Sequence, residues 1–202
     1  MKNMFCALGI VGLTAISSVH AASFDEQAQG DLSNDRLAPT PWVLDLGANP
    51  LRGSMGLGDL DYLAVTVPSG RALTALRVGE GLVLGGVRAF LAVQAGNQMT
   101  VPADTDSANA LLGAMHYQDA AVGTDLLPDL GNGHLGAIGF TGALPAGQYS
   151  FWVQDTSFEP GLRYSFNLEV SAVPEPHIAA MLLAGLGLLG TMARRRAPGT
   201  ST

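Results

Sequence analysis

The chain has 202 residues, 48% of them apolar and 13% charged, with a formal net charge of −7. Its single cysteine, Cys6, excludes an intramolecular disulfide and multi-cysteine zinc sites; residues 22–173 hold 16 Asp/Glu against 6 Arg, a net of −10 that argues against binding to nucleic acid. Those residues contain no lysine, which excludes lysine Schiff bases and serine–lysine dyads.

Residues 1–22 have the three-part layout of a secretory signal peptide. Lys2 supplies a positive start, Met4–Ile16 an apolar stretch, and Val19-His20-Ala21 a small-residue exit. Cleavage is expected after Ala21 or one residue later, and Cys6 leaves with the peptide. Residues 23–41, rich in Asp, Gln and Asn and ending on Pro39-Thr40-Pro41, read as an extended entry segment.

Residues 42–172 show short apolar alternations punctuated by Gly, Pro and Asp. Leu63, Val65 and Val67 alternate with Tyr62, Ala64 and Thr66 before a stop at Pro68-Ser69-Gly70. Leu76 and Val78 follow, then Val87, Ala89, Leu91 and Val93 on one face. Pro145-Ala146-Gly147 reads as a turn into Tyr149, Phe151 and Val153, and Tyr164, Phe166, Leu168 and Val170 alternate strictly. Period-two patterning with turns at this spacing predicts an all-β fold of antiparallel strands in a sandwich or barrel, read here as an antiparallel β-sandwich of jelly-roll-like form. Gln94–Ala110 is expected to be a long loop over one edge, and Ser107–Tyr117 fits either a helix or a strand.

The run Gly58-Asp59-Leu60-Asp61-Tyr62-Leu63-Ala64-Val65-Thr66-Val67-Pro68-Ser69-Gly70 resembles the D-x-D-Y-F-x-V-x-V-P-x-G pattern of bacterial pre-peptidase C-terminal-type β-sandwiches, with Leu63 where phenylalanine is usual. Gly142–Val153, through Leu144, Pro145, Gly147, Tyr149, Phe151 and Val153, is similar to the closing hairpin of that group. The resemblance implies an accessory, non-catalytic module on a secreted protein.

Chemistry-bearing residues are few. Asp59 and Asp61 at a strand start, and Asp104 and Asp106 in the long loop, are candidate calcium ligands; neither pair has EF-hand spacing, and turn formation explains aspartate equally well. No catalytic residue and no cofactor other than calcium is expected. His116 and His134 lack any G-x-S-x-G or H-E-x-x-H context and read as ordinary histidines. The glycine-rich runs Gly53–Gly58 and Gly131–Gly136 lack a P-loop lysine and read as turns. Trp42 and Trp152 are either core residues or a sugar-stacking platform, with Trp152 on a face that would be open to solvent.

At the C-terminus, Val173-Pro174-Glu175-Pro176-His177 precedes the uncharged stretch Ile178–Ala193, then Arg194-Arg195-Arg196 and the polar end 197–202. The prolines forbid helix upstream, while the stretch itself predicts a helix. From His177 it would span about 25 Å at 1.5 Å per residue, the short end of a membrane crossing, with the arginines holding its end in the cytoplasm. A buried core helix is the alternative. Residues 173–196 resemble the PEP-CTERM sorting signal of exported Gram-negative proteins. That resemblance implies processing near Pro174-Glu175-Pro176 by an exosortase, an integral-membrane transpeptidase. On a helix, Ala180, Ala184, Gly187 and Thr191 form one face of small residues fit for docking on that enzyme, with Leu182, Leu186 and Leu189 toward lipid.

These readings predict an exported, non-enzymatic protein of the cell surface or extracellular polysaccharide matrix, anchored in the inner membrane before processing. A carbohydrate- or calcium-binding module and, further off, a secreted hydrolase are the alternatives.

Overall fold

The computed structural model describes residues 22–104, 108–157, 159–173, 181–186 and 188–189. In chain order these form β1 (Phe24–Asp25), the one-turn helix α1 (Glu26–Gln29), β2 (Thr40–Val43), β3 (Gly47–Met55), β4 (Leu60–Val78), β5 (Ala89–Ala95), β6 (Gly113–Tyr117), the one-turn helix α2 (Leu127–Leu130), β7 (Leu144–Asp155) and β8 (Leu162–Ala172). The molecule is all-β in substance, and the order β1-β3-β8-β4-β7-β5-β6 is one continuous path, with β2 also on β4.

The long strand β4 makes this path possible. Its first half pairs with β7, Leu63 opposite Phe151, and its second half with β8, Leu76 opposite Leu168. Between Val67 and Ala72 the register with β7 shifts, so that Pro68–Arg71 stand opposite Ala146 alone. Proline removes a ladder donor and Gly70 takes a left-handed φ of 71°, so the strand turns a corner here. The expected stop at Pro68-Ser69-Gly70 is therefore a bend within one strand. Pro145-Ala146-Gly147 likewise lies inside β7, not in a turn before it.

The corner folds the sheet over. Leu63, Val65, Phe151 and Val153 from one half meet Leu51, Leu76, Phe166 and Leu168 from the other around a small apolar gap. These alternating residues form the main core. A second apolar cluster covers the opposite face of the β4–β7–β5 half: Tyr62, Ala92, Ala114 and Trp152 pack beneath Met99, Val101 and Leu111. The stretch after Gln94 thus seals a face, where an edge loop was expected. Gly113–Tyr117 settles the open choice in the 107–117 stretch as strand.

Residues 23–41 are not an extended lead-in. Phe24 and Leu32 are core residues, β1 pairs with β3, and β2 follows with Trp42 against Phe24. Both N-terminal pairings, β1–β3 and β2–β4, are parallel, which departs from the antiparallel expectation. They arise because this segment runs alongside strands far from it in sequence and makes no hairpin with them.

Residues 181–186 and 188–189 are helical, and Met181, Leu182, Leu183, Leu186 and Leu189 are more than half exposed. They are not a helix buried in the core. Among the described residues no helix is long and apolar enough to cross a membrane. The rest of the predicted span 178–193 lies outside the described residues, as do the expected signal peptide, apart from Ala22, and the arginine run.

Candidate functional site

Period two puts Asp61 on the same side of β4 as Leu63, Val65 and Val67, and that side is the core. Asp61 is fully buried, and neither carboxylate oxygen has a hydrogen-bond partner. Burying an ionised carboxylate without partners costs several kcal/mol, so such a residue calls for a compensating group nearby.

Two acids of the N-terminal segment stand beside it. Glu26, first residue of α1, is held on β3 by the Ser54 N–H, which donates to Oε2 at 2.6 Å, and by the Ser54 hydroxyl at 3.1 Å. The Tyr164 hydroxyl donates to Glu26 Oε1 at 3.3 Å. Asp31 follows α1 on a segment pinned along β4, where the Tyr62 N–H donates to the Ser33 carbonyl at 3.0 Å and the Leu60 N–H to Asn34 Oδ1 at 2.8 Å. Carboxylate oxygens of Glu26, Asp31 and Asp61 all lie within 4.8 Å of one another.

Electrostatics follow from this packing. Burial, then the neighbouring charges of Glu26 and Asp59, push the Asp61 carboxyl up to about 9, offset only in part by the nearby Tyr164 hydroxyl. Burial also raises Glu26, against the lowering effect of its Ser54 hydrogen bonds. The Tyr164 and Tyr117 phenols are raised well above the usual range by burial and then by the Asp61 charge. Tyr117 is buried, and its hydroxyl is also without a partner. Beside the cluster opens a cleft of about 550 Å³, lined among others by Glu26, Asp31, Arg52, Ser54, Arg163 and Tyr164.

Of the expected calcium pair, Asp61 joins this cluster and Asp59 does not. Asp59 is half-buried just before β4 begins, its carboxyl raised by burial and by the charge of Asp31. Asp104 is exposed, and Asp106 lies outside the described residues. Glu26 and Asp31 escaped the sequence reading because they are separated from Asp61 by thirty residues or more and meet it only through long-range pairing, β1 with β3 and Ser33 with Tyr62. The position of Asp61 was traceable: extending the Leu63–Val67 alternation two residues back puts it on the apolar face.

Trp152 is 4% exposed, sandwiched with Tyr62 and Phe90, and Trp42 is 7% exposed in the main core, so neither offers a stacking platform. His116, exposed on β6, sits edge-on to Phe90 with its pKa lowered by burial and then by Arg88. His134 is exposed, and among the described residues neither histidine hydrogen-bonds to a serine or a carboxylate. Gly53 stands within β3, while Gly131–Gly136 are turns around short helical segments.

At the C-terminal end, β8 closes at Ala172, and the Val173 N–H donates to the Gly70 carbonyl at 2.8 Å. The sheet is thus hydrogen-bonded up to the residue before Pro174. Pro174, Glu175, Pro176, Ala180, Gly187, Thr191 and Arg194–Arg196 lie outside the described residues; Ala184 is exposed on the helical stretch.

No curated protein and no solved structure matched the chain, so the likeness of the body to pre-peptidase C-terminal sandwiches rests on its residue pattern. One family model did match. Residues 172–196 fit the PEP-CTERM protein-sorting motif, and the chain is a protein bearing that sorting signal at its C-terminus.

Proposed function

We propose that this chain is an exported, non-catalytic protein of the cell surface or extracellular matrix, handed by its C-terminal tail to an exosortase. The supporting observation is the junction: the motif begins at residue 172, where β8 and its last hydrogen bond end. A processing enzyme needs an accessible chain, and among the described residues of the motif only Ala172 and Val173 are paired with the sheet. In this reading the apolar stretch 178–193 anchors the precursor in the inner membrane, with Arg194–Arg196 on the cytoplasmic side. Its small-residue face docks on the enzyme. Two features support a structural or adhesive role for the body. Its acidic surplus suits bridging by divalent cations in a polysaccharide matrix, and among the described residues neither of its two histidines hydrogen-bonds to a serine or a carboxylate.

Replacing Pro174, Glu175 and Pro176 together with alanine tests the reading. The variant is expected to accumulate as unprocessed precursor in the membrane fraction, while the parent chain reaches the surface or the medium. Equal export and processing of the two would overturn it.

A further inference from the structure

We infer that Glu26, Asp31 and Asp61 form a calcium site that ties the N-terminal segment to the sandwich. The inference stands on the body alone and does not depend on the sorting reading. Two oxygens on opposite sides of one calcium ion, each about 2.4 Å from it, are separated by about 4.8 Å. The three carboxylates approach one another within that limit.

The second observation is the state of Asp61. It is fully buried, and both oxygens lack a hydrogen-bond partner. The Tyr117 hydroxyl, also buried, lacks a hydrogen-bond partner too. A proton on Asp61 would remove its charge but leave both of its oxygens short of a hydrogen-bond partner in this geometry. A cation satisfies both oxygens and also relieves the repulsion from Glu26 and Asp31.

The donor set selects the ion. Three carboxylates with no histidine or cysteine suit a hard cation, and calcium tolerates the irregular geometry that magnesium does not. Three carboxylates supply up to six oxygens, and water from the adjoining cleft completes the shell. Since Glu26 and Asp31 belong to the segment that follows the signal peptide and Asp61 to β4, the ion works as a clasp.

The test uses the full chain purified in detergent, stripped with EDTA and melted in EDTA, in 10 mM CaCl2 or in 10 mM MgCl2. At the affinities usual for extracellular calcium modules, calcium should raise the midpoint by roughly 5 °C, and magnesium by less. The rise should vanish in Glu26→Gln and in Asp31→Asn and persist in Asp104→Asn. Asp31 is exposed, so its variant tests the ligand without emptying the core. Three results would overturn the site: equal midpoints with EDTA and calcium, a calcium response that survives both substitutions, or an Asp61→Asn protein that melts at or above the parent chain in calcium at pH 8.

Discussion

Gly53 and Tyr164 face each other across β3 and β8, and a Cβ on Gly53 would collide with the Tyr164 ring. The glycine therefore leaves the ring room to lie flat and deliver its hydroxyl to Glu26. Gly53→Ala should cost about 1–3 kcal/mol through overpacking, read as a lower urea midpoint at unchanged slope. Asp61 makes a prediction of opposite character. Its folded pKa, about 9, lies far above the 3.8 of a free aspartate. Between those values the folded chain keeps a proton that the unfolded chain has lost. In EDTA, stability should fall as pH rises from 5 to 9, and Asp61→Asn should flatten that slope. The groups around it, Glu26, Asp31, Asp59, Tyr117 and Tyr164, supply no cation, so nothing among them reverses the sign. Other acids are ordinary caps: Asp119 accepts the N–H groups of Leu84 and Gly86, and Asp125 those of Leu76 and Leu127. Residue type alone could not separate the buried, unpartnered Asp61 from these; its parity on the strand could.

At the scale of elements, strand β4 serves both halves of the sheet, and its second surface carries its own small core. Trp152 packs there against Tyr62 and Phe90, with its indole N–H donating to Gln154 at 3.1 Å. Trp152→Ala should cost about 3–5 kcal/mol in urea unfolding, the penalty of a large core truncation. A stacking platform on the surface would lose far less. Strands β4, β7 and β8 were legible because each is written in period two: Leu63–Val67, Phe151–Val153, Tyr164–Val170. Their connections were less so. Pro68-Ser69-Gly70 reads locally as an end, yet the apolar pattern resumes at Ala72, and only the pairing partner on the other layer shows that the chain turned without stopping. The N-terminal segment was misread for a related reason. Phe24, Leu32 and Trp42 are too widely spaced to make a pattern, and parallel pairing with β3 and β4 leaves no local mark.

Across the whole molecule, delivery and architecture divide cleanly along the chain. The sorting motif was readable in full because Pro174-Glu175-Pro176, the apolar stretch and Arg194–Arg196 are contiguous and need no fold to bring them together. The carboxylate cluster was only partly readable because folding assembles it. Trimming the tail should leave the body intact, since β8 closes at Ala172 and the main core draws on residues 24–170. A chain processed after Val173 is expected to keep the unfolding free energy of the precursor, measured in urea, within about 0.5 kcal/mol, as for changes at an exposed terminus. The most direct test of the sorting claim is the intact mass of the mature protein, measured from cells with and without the exosortase. The sorting motif predicts a C-terminus cut near Pro174-Glu175-Pro176 in the first and a tail carrying Arg194–Arg196 in the second. An intact tail in both would contradict it.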